Sequence, residues 1–187
     1  SYTQLPQSFA ELESDGRVRL YVGAMDMGQG TDTALGLIAA RELTLPLEAV
    51  TVVSGDTECT PDTGPSSGSR VVYTDGNAVK EAASALRDAV LATASELLKM
   101  SYESLEMKDG HVAPRAETGV SGPTVSLAEV ARARQAAGLS MRFTGIFHPV
   151  PMHDVLSGEL SPYLVHVSAT HVAEVEVDTR RGTVRVL

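Results

Sequence analysis

Apolar and polar positions change period several times along the chain, and each change marks an element. Phe9 to Leu12 and Arg17 to Val22 are short strand-like runs separated by Asp15-Gly16, a pair that favours a hairpin turn. After a glycine-rich stretch, Leu35, Ile38, Ala39 and Leu43 recur at helical spacing, which predicts a helix capped by Thr31 or Asp32 and ended before Pro46. Ala49 to Val53 is a second β-branched strand. Beyond a long polar loop, Val79, Ala82, Ala83, Leu86, Val90, Leu97 and Leu98 form one apolar stripe, predicting a helix capped by Asn77 that runs to about Met100.

The remaining third is more broken. Asp109-Gly110 predicts a short hairpin, Val112 to Gly122 a loop, and Ser126 with Glu129 an S-x-x-E capping box opening a helix over Leu127 to Ala137, stopped by Gly138. Prolines 149, 151 and 162 with Gly145 and Gly158 predict an extended irregular connector over 139–162. A C-terminal β hairpin is expected over 163–187. The fold class expected is therefore α+β, mixed sheets with packed helices: an α/β core over 1–138, the connector, and the hairpin. Repeats and low-complexity tracts are absent.

Composition narrows the function classes. At 187 residues and 43% hydrophobic the chain can bury a core. Fifteen Lys and Arg against 24 Asp and Glu leave a net charge of −9, and Trp is absent, which argues against a nucleic-acid surface built on basic grooves and stacking rings. The single cysteine, Cys59, excludes an internal disulfide and a cysteine-ligated iron–sulfur cluster, and since the sequence fixes no charged helper for it, it is expected to be an inert thiol. SYTQLPQSF carries no signal-peptide pattern, and no apolar run nears the ~20 residues of a membrane span, so a cytoplasmic location is expected. His148, His153, His166 and His171 fit no tight metal-ligand spacing, and no metal site is assigned.

The candidate chemistry lies in two polar segments, GAMDMGQG (Gly23 to Gly30) and GDTECTPDTGPSSGSRVVYTDG (Gly55 to Gly76). Each follows a strand and leads into a helix, where outward N–H groups and the helix dipole favour an oxyanion. GQGTDT lacks the third glycine of the dinucleotide fingerprint, and no Lys-Ser/Thr pair makes a P-loop. Gln29, flanked by Gly28 and Gly30, can offer a donor and an acceptor to one flat polar partner. Ser66, Ser67, Ser69 and Arg70 add hydroxyl and guanidinium donors suited to an anion. Asp56 and Asp62 are expected to cap turns.

In order and spacing, Gly28-Gln29-Gly30, Thr33, Asp56-Thr57, Pro61, Gly68-Ser69-Arg70 and Gly76-Asn77-Ala78-Val79 resemble the molybdenum-cofactor-binding domain of the xanthine dehydrogenase and aldehyde oxidase family. HVAEVEVDTRRGTVRVL (His171 to Leu187) is similar to the valine-rich hairpin of that family, with Arg181-Gly182 where Thr-Gly is usual. The resemblance implies an oxidoreductase domain in which Gly28, Gln29, Gly30, Gly68, Ser69 and Arg70 contact the pterin and phosphates of molybdopterin, which in bacteria is often a cytosine dinucleotide. It also implies iron–sulfur and flavin (FAD) partners on other domains or subunits. The family's hydroxylation of a heterocycle or aldehyde carbon uses a glutamate base in a G-x-G-E segment that this chain does not contain. No catalytic residue is therefore assigned, and the chain is expected to be a fragment of a larger subunit, inactive alone. The alternative is a stand-alone, non-catalytic pterin-binding or subunit-interaction module. The substrate is not legible in these residues.

Overall fold

The structure is a computed structural model, described for residues 5–67, 70–115, 122–148 and 170–187. It divides into two compact units, Ser1–Pro149 and Val150–Leu187.

The first unit is built on a four-stranded sheet whose strands, in order across it, are Val50–Val53, Val18–Val22, Gln7–Leu12 and Arg142–Ile146. Strands β1 (Gln7–Leu12) and β2 (Val18–Val22) form the hairpin expected around Asp15-Gly16, with Ser8 opposite Val22 and Leu12 opposite Val18. Helix α1 (Thr31–Glu42) then crosses over so that β3 (Val50–Val53) lies parallel to β2, Val18 beside Val50 and Tyr21 beside Val53. A parallel pair needs such a crossover, and it brings the chain out of both strands at the same sheet edge. Alternation sends Ala10, Leu12, Val18, Leu20 and Val22 inward, where they meet Leu35, Ala39 and Leu43 of α1 in the core.

The long helix α2 (Val71–Leu98) covers the same face of the sheet. It starts six residues before Asn77, the expected cap; Asn77 lies inside it, its Nδ2 donating to the Tyr73 carbonyl at 2.6 Å. In the β-branched opening turn the Thr74 N–H donates to the Arg70 carbonyl at 2.7 Å, and its one hydroxyl hydrogen lies between that carbonyl (3.0 Å) and Asp75 Oδ2 (2.8 Å). Gly76, inside the helix, lies against α1: a Cβ there would stand 2.9 Å from the end of the Ile38 side chain. The apolar stripe is buried at Val79, Ala82, Ala83, Leu86 and Val90, but Leu97 is exposed.

Strands β4 (Leu105–Lys108), β5 (His111–Pro114) and β6 (Val125–Ser126) form a second, antiparallel sheet around the Asp109-Gly110 turn. Val112 to Pro114 is thus strand where a loop was expected, Val112 being fully buried. Helix α3 (Leu127–Ala136) opens on the expected capping box: Ser126 Oγ accepts from Glu129 N–H at 3.3 Å while the Ser126 N–H donates to the Glu129 carboxylate at 2.9 Å. Arg134 of α3 is 6% exposed and donates to the Ala89 carbonyl and Thr93 hydroxyl of α2 and twice to the Ser140 carbonyl, joining three segments.

The chain then returns as β7 (Arg142–Ile146), antiparallel to β1, inside the stretch expected to be irregular. Gly145, read as a loop signal, is what permits the strand: a Cβ there would overlap the Ala78 carbonyl and the Ala82 N–H, so only glycine lets α2 press on β7. In the second unit, β8 (Val175–Asp178) and β9 (Thr183–Val186) form the expected C-terminal hairpin, pairing Val175 with Val186 and Val177 with Val184. The architecture is α+β with mixed sheets and packed helices. No helix among the described residues is long and apolar enough to cross a membrane.

Candidate functional site

Because β2 and β3 are parallel, the segments leaving them, Gly23–Gly30 and Ser54 onward, emerge side by side. In open sheets of this kind the edge beyond the carboxyl ends of parallel strands is where ligands bind. The two segments touch. A Cβ on Gly23 would overlap the Pro61 carbonyl oxygen and lie 2.8 Å from Thr63 Oγ1, so the second loop is seated directly on the first residue of the first. Met25 Cε reaches within 3.6 Å of the Cβ position of Gly55, and Ser54 Oγ donates to Asp32 Oδ2 at 3.0 Å.

Within the first loop, Gly28 (φ 106°) and Gly30 (φ 80°) take left-handed backbone conformations that other L-residues adopt only under strain. Neither has an atom within 4 Å of where a Cβ would sit, so the turn is open on that side. Gln29 is engaged inside its own turn: its Oε1 accepts from the Met27 N–H at 2.7 Å, and its Nε2 donates to the Met25 carbonyl at 3.1 Å and to Thr31 Oγ1 at 2.7 Å. Both amide hydrogens have partners, and Oε1 retains a second lone pair.

Neither Thr31 nor Asp32 caps α1, contrary to expectation. Gly30 is the N-cap residue and carries no side-chain bond, and the capping carboxylate comes from Asp26. Asp26 Oδ1 accepts from the N–H groups of Gly28 (2.8 Å) and Gly30 (3.3 Å), and its Oδ2 from that of Asp32 (3.1 Å). These bonds, the Gly28 one foremost and then Asp32, hold the Asp26 carboxyl below the usual carboxylate range. Asp26 was not singled out from the sequence, although an aspartate two residues before a glycine pair at a helix start is a capping signal.

The second loop is organised by its own side chains. Asp56 Oδ1 accepts from the Glu58 N–H at 3.0 Å and Asp62 Oδ1 from the Gly64 N–H at 2.9 Å, the turn-capping roles expected for both. Arg70 Nη1 donates to the Thr63 and Pro65 carbonyls, at 3.1 and 3.0 Å, and so spans the loop ahead of α2. Gly68 and Ser69 lie outside the described residues, as do His153 and His166. Burial, with Asp56 adding to it, pushes the Cys59 thiol up and away from thiolate. No group of three potential metal ligands occurs among the described residues.

Two further polar groups at this end were missed. Asp75, in the second turn of α2, is 2% exposed; its Oδ2 accepts from the Thr74 hydroxyl at 2.8 Å, but its buried Oδ1 has no partner. Ser8, opposite Val22 at the same sheet edge, is fully buried with an unpartnered Oγ, and Asp32 Oδ1 is likewise buried and unpartnered. Orphaned buried polar atoms are rare in folded proteins and costly. Nothing in the local sequence separates Ser8 or Asp75 from ordinary surface residues; only the packing of α2 on the sheet encloses them.

Comparisons with known proteins identify the family. A family model described as "Molybdopterin cofactor-binding domain" matches residues 4–187, and the chain belongs to that family. Among relatives, it is 34% identical over 124 residues to the 6-hydroxypseudooxynicotine dehydrogenase complex subunit gamma of Paenarthrobacter nicotinovorans, covering 66% of this chain and 15% of that protein. It is 32% identical over 123 residues to the nicotine 6-hydroxylase large subunit of the same organism, again covering 66% of this chain and 15% of that protein. The quinoline 2-oxidoreductase of Pseudomonas putida 86 has the same fold over 96% of this chain and 22% of its own, with a TM-score of 0.67 at 24% identity. CO dehydrogenase from Oligotropha carboxidovorans gives a TM-score of 0.68 at 22% identity, over 76% of this chain and 18% of its own. The chain thus spans only 15% of the length of these two relatives.

Proposed function

We propose that this chain is the part of a molybdenum hydroxylase large subunit that holds the pterin cofactor, within an enzyme that hydroxylates a heterocycle or aldehyde carbon. The observation that carries the reading is the seating of Pro61 and Thr63 on Gly23, which makes one polar surface of two loops. The chemistry of that surface fits a flat, hydrogen-bonding ligand with an anionic end. The open side of Gly28 and Gly30 gives steric room, Gln29 Oε1 has acceptor capacity left, and Arg70 brings a positive charge to the second loop. The buried unpartnered oxygens of Ser8, Asp32 and Asp75 belong to the sheet edge and helix starts around it. In this reading Gly28, Gln29, Gly30 and Arg70, with Gly68 and Ser69, would hold the cofactor, which would be molybdopterin or its cytosine dinucleotide form. When bound, the molybdenum centre supplies the two-electron oxidation of the substrate carbon. The catalytic base and the iron–sulfur and flavin centres are supplied by other parts of the enzyme, which works in the cytoplasm.

The test is Gln29→Ala in the full-length protein, with pterin and molybdenum measured per subunit. Removing the amide loses three hydrogen bonds inside the turn and its contact with the ligand. Cofactor content should fall several-fold while the melting temperature of the cofactor-free protein moves little, because the turn is exposed. Unchanged pterin and molybdenum would remove Gln29 from the site.

A further inference from the structure

We propose that the turn joining β4 to β5 is a strap latched against the end of α1 by the strained residue Thr44, and that it opens there while the helix end stays closed.

Many helices end on a residue in the left-handed conformation, and glycine usually supplies it because a β-branched side chain is strained there. α1 ends in this way. The Leu45 N–H donates to the Ala40 carbonyl at 2.8 Å and the Thr44 N–H to the Arg41 carbonyl at 3.2 Å, with Thr44 itself at φ 49°. Glycine would close the helix with less strain, so what threonine adds lies outside the helix. Its hydroxyl donates to the Met107 carbonyl of β4 at 2.5 Å, and its carbonyl accepts from the Asp109 N–H at 3.1 Å. Asp109 is also left-handed, at φ 48°. Two non-glycine residues in that region thus meet at one junction, and such strain persists only where the surrounding structure imposes it.

The junction lines a cleft of about 700 Å³, with Arg41, Leu45 and Pro46 on the α1 side and Lys108 and Asp109 on the strap. Thr44, Lys108 and Asp109 are exposed, whereas Leu105 and Met107 anchor β4 in the core. Exposed hydrogen bonds open at lower free energy than buried packing does. Releasing the latch breaks only the two Thr44 bonds to the strap. The pairing of β4 with β5 and the bond from the Leu127 N–H to the Gly110 carbonyl (3.0 Å) are kept, so the turn lifts as a paired unit.

Amide exchange of the full-length protein, followed by peptide mass spectrometry, tests the latch with three substitutions. Thr44→Val keeps the shape and removes the hydroxyl, Thr44→Ser keeps the hydroxyl, and Thr44→Gly removes hydroxyl and strain together. Peptides covering 105–111 should exchange several-fold faster in Thr44→Val and Thr44→Gly and at nearly the wild-type rate in Thr44→Ser. Peptides covering 40–46 should exchange no faster in Thr44→Gly than in the wild type, because glycine suits the helix end. Wild-type protection of 105–111 in Thr44→Gly overturns the proposal. Loosening of 40–46 together with 105–111 in Thr44→Gly overturns it as well, since the strap and the helix end would then be one unit.

Discussion

Gly23→Ala is the substitution on which the two-loop site depends most directly. The added methyl would overlap the Pro61 carbonyl oxygen and stand 3.0 Å from Thr63 Cγ2, where carbon atoms prefer about 3.5–4.0 Å. Thr63 must therefore withdraw by at least about 0.5 Å and the Pro61 carbonyl by more. Gly23 itself has little freedom to yield, since it follows Val22, which is fully buried and paired with Ser8. Overpacking of this kind costs about 1–3 kcal/mol. The same shift moves the two loops apart, so pterin binding should weaken along with folding. Pterin content of the full-length Gly23→Ala protein, measured beside the melting temperature of its cofactor-free form, separates the two effects. The expected result is near-complete loss of pterin with a melting temperature lowered by a few degrees. Normal pterin content in a protein carrying this substitution would refute the reasoning that the two loops act as one surface.

Three other outcomes follow from the packing and the charges. Gly145→Ala should destabilise by about 1–3 kcal/mol, because its methyl meets the backbone of α2 at Ala78 and Ala82; urea denaturation with an unchanged midpoint would contradict the close approach. Arg134→Met keeps an apolar stem but removes donations to Ala89, Thr93 and Ser140, and should cost about 1.5–3 kcal/mol by the same measurement. The Asp26 carboxyl is held below its ordinary value in the folded protein, so its contribution is present above the ordinary carboxylate range and is lost as pH falls through the lowered value. Amide protection at Gly28, Gly30 and Asp32 should accordingly persist to below about pH 4, and its loss nearer pH 5 would exclude Asp26 as the cap.

The elements most legible in the sequence were those fixed by neighbours in the chain. The Asp15-Gly16 and Asp109-Gly110 turns and the Ser126–Glu129 capping box depend on residues within three positions of one another, and all three formed as read. The elements misread depend on residues brought from far away. Gly145 looks like a break locally, yet it is glycine because α2 lies against it. The start of α2 at Val71 was hidden behind a β-branched run that by propensity belongs in a strand. For the site, the glycine turns and the capping aspartates of the second loop could be read directly, but the buried oxygens of Ser8 and Asp75 could not, since burial there is made by tertiary packing.

The β8–β9 hairpin carries its four valines as two facing pairs on one side, with Glu176 opposite Arg185 and Asp178 opposite Thr183 on the other. Side chains alternate strictly along a strand, so sliding one strand by a single position in either direction would leave Val177, Val184 and Val186 facing polar partners across the hairpin. The turn that prevents this is tied by Asp178, whose side chain accepts from the Arg180 and Arg181 N–H groups and whose carbonyl accepts from Gly182. The length of that turn is thus a parity constraint. Insertions or deletions of one residue between Asp178 and Thr183 would scramble the two faces, whereas substitutions at exposed Arg180 and Arg181 would leave the register untouched.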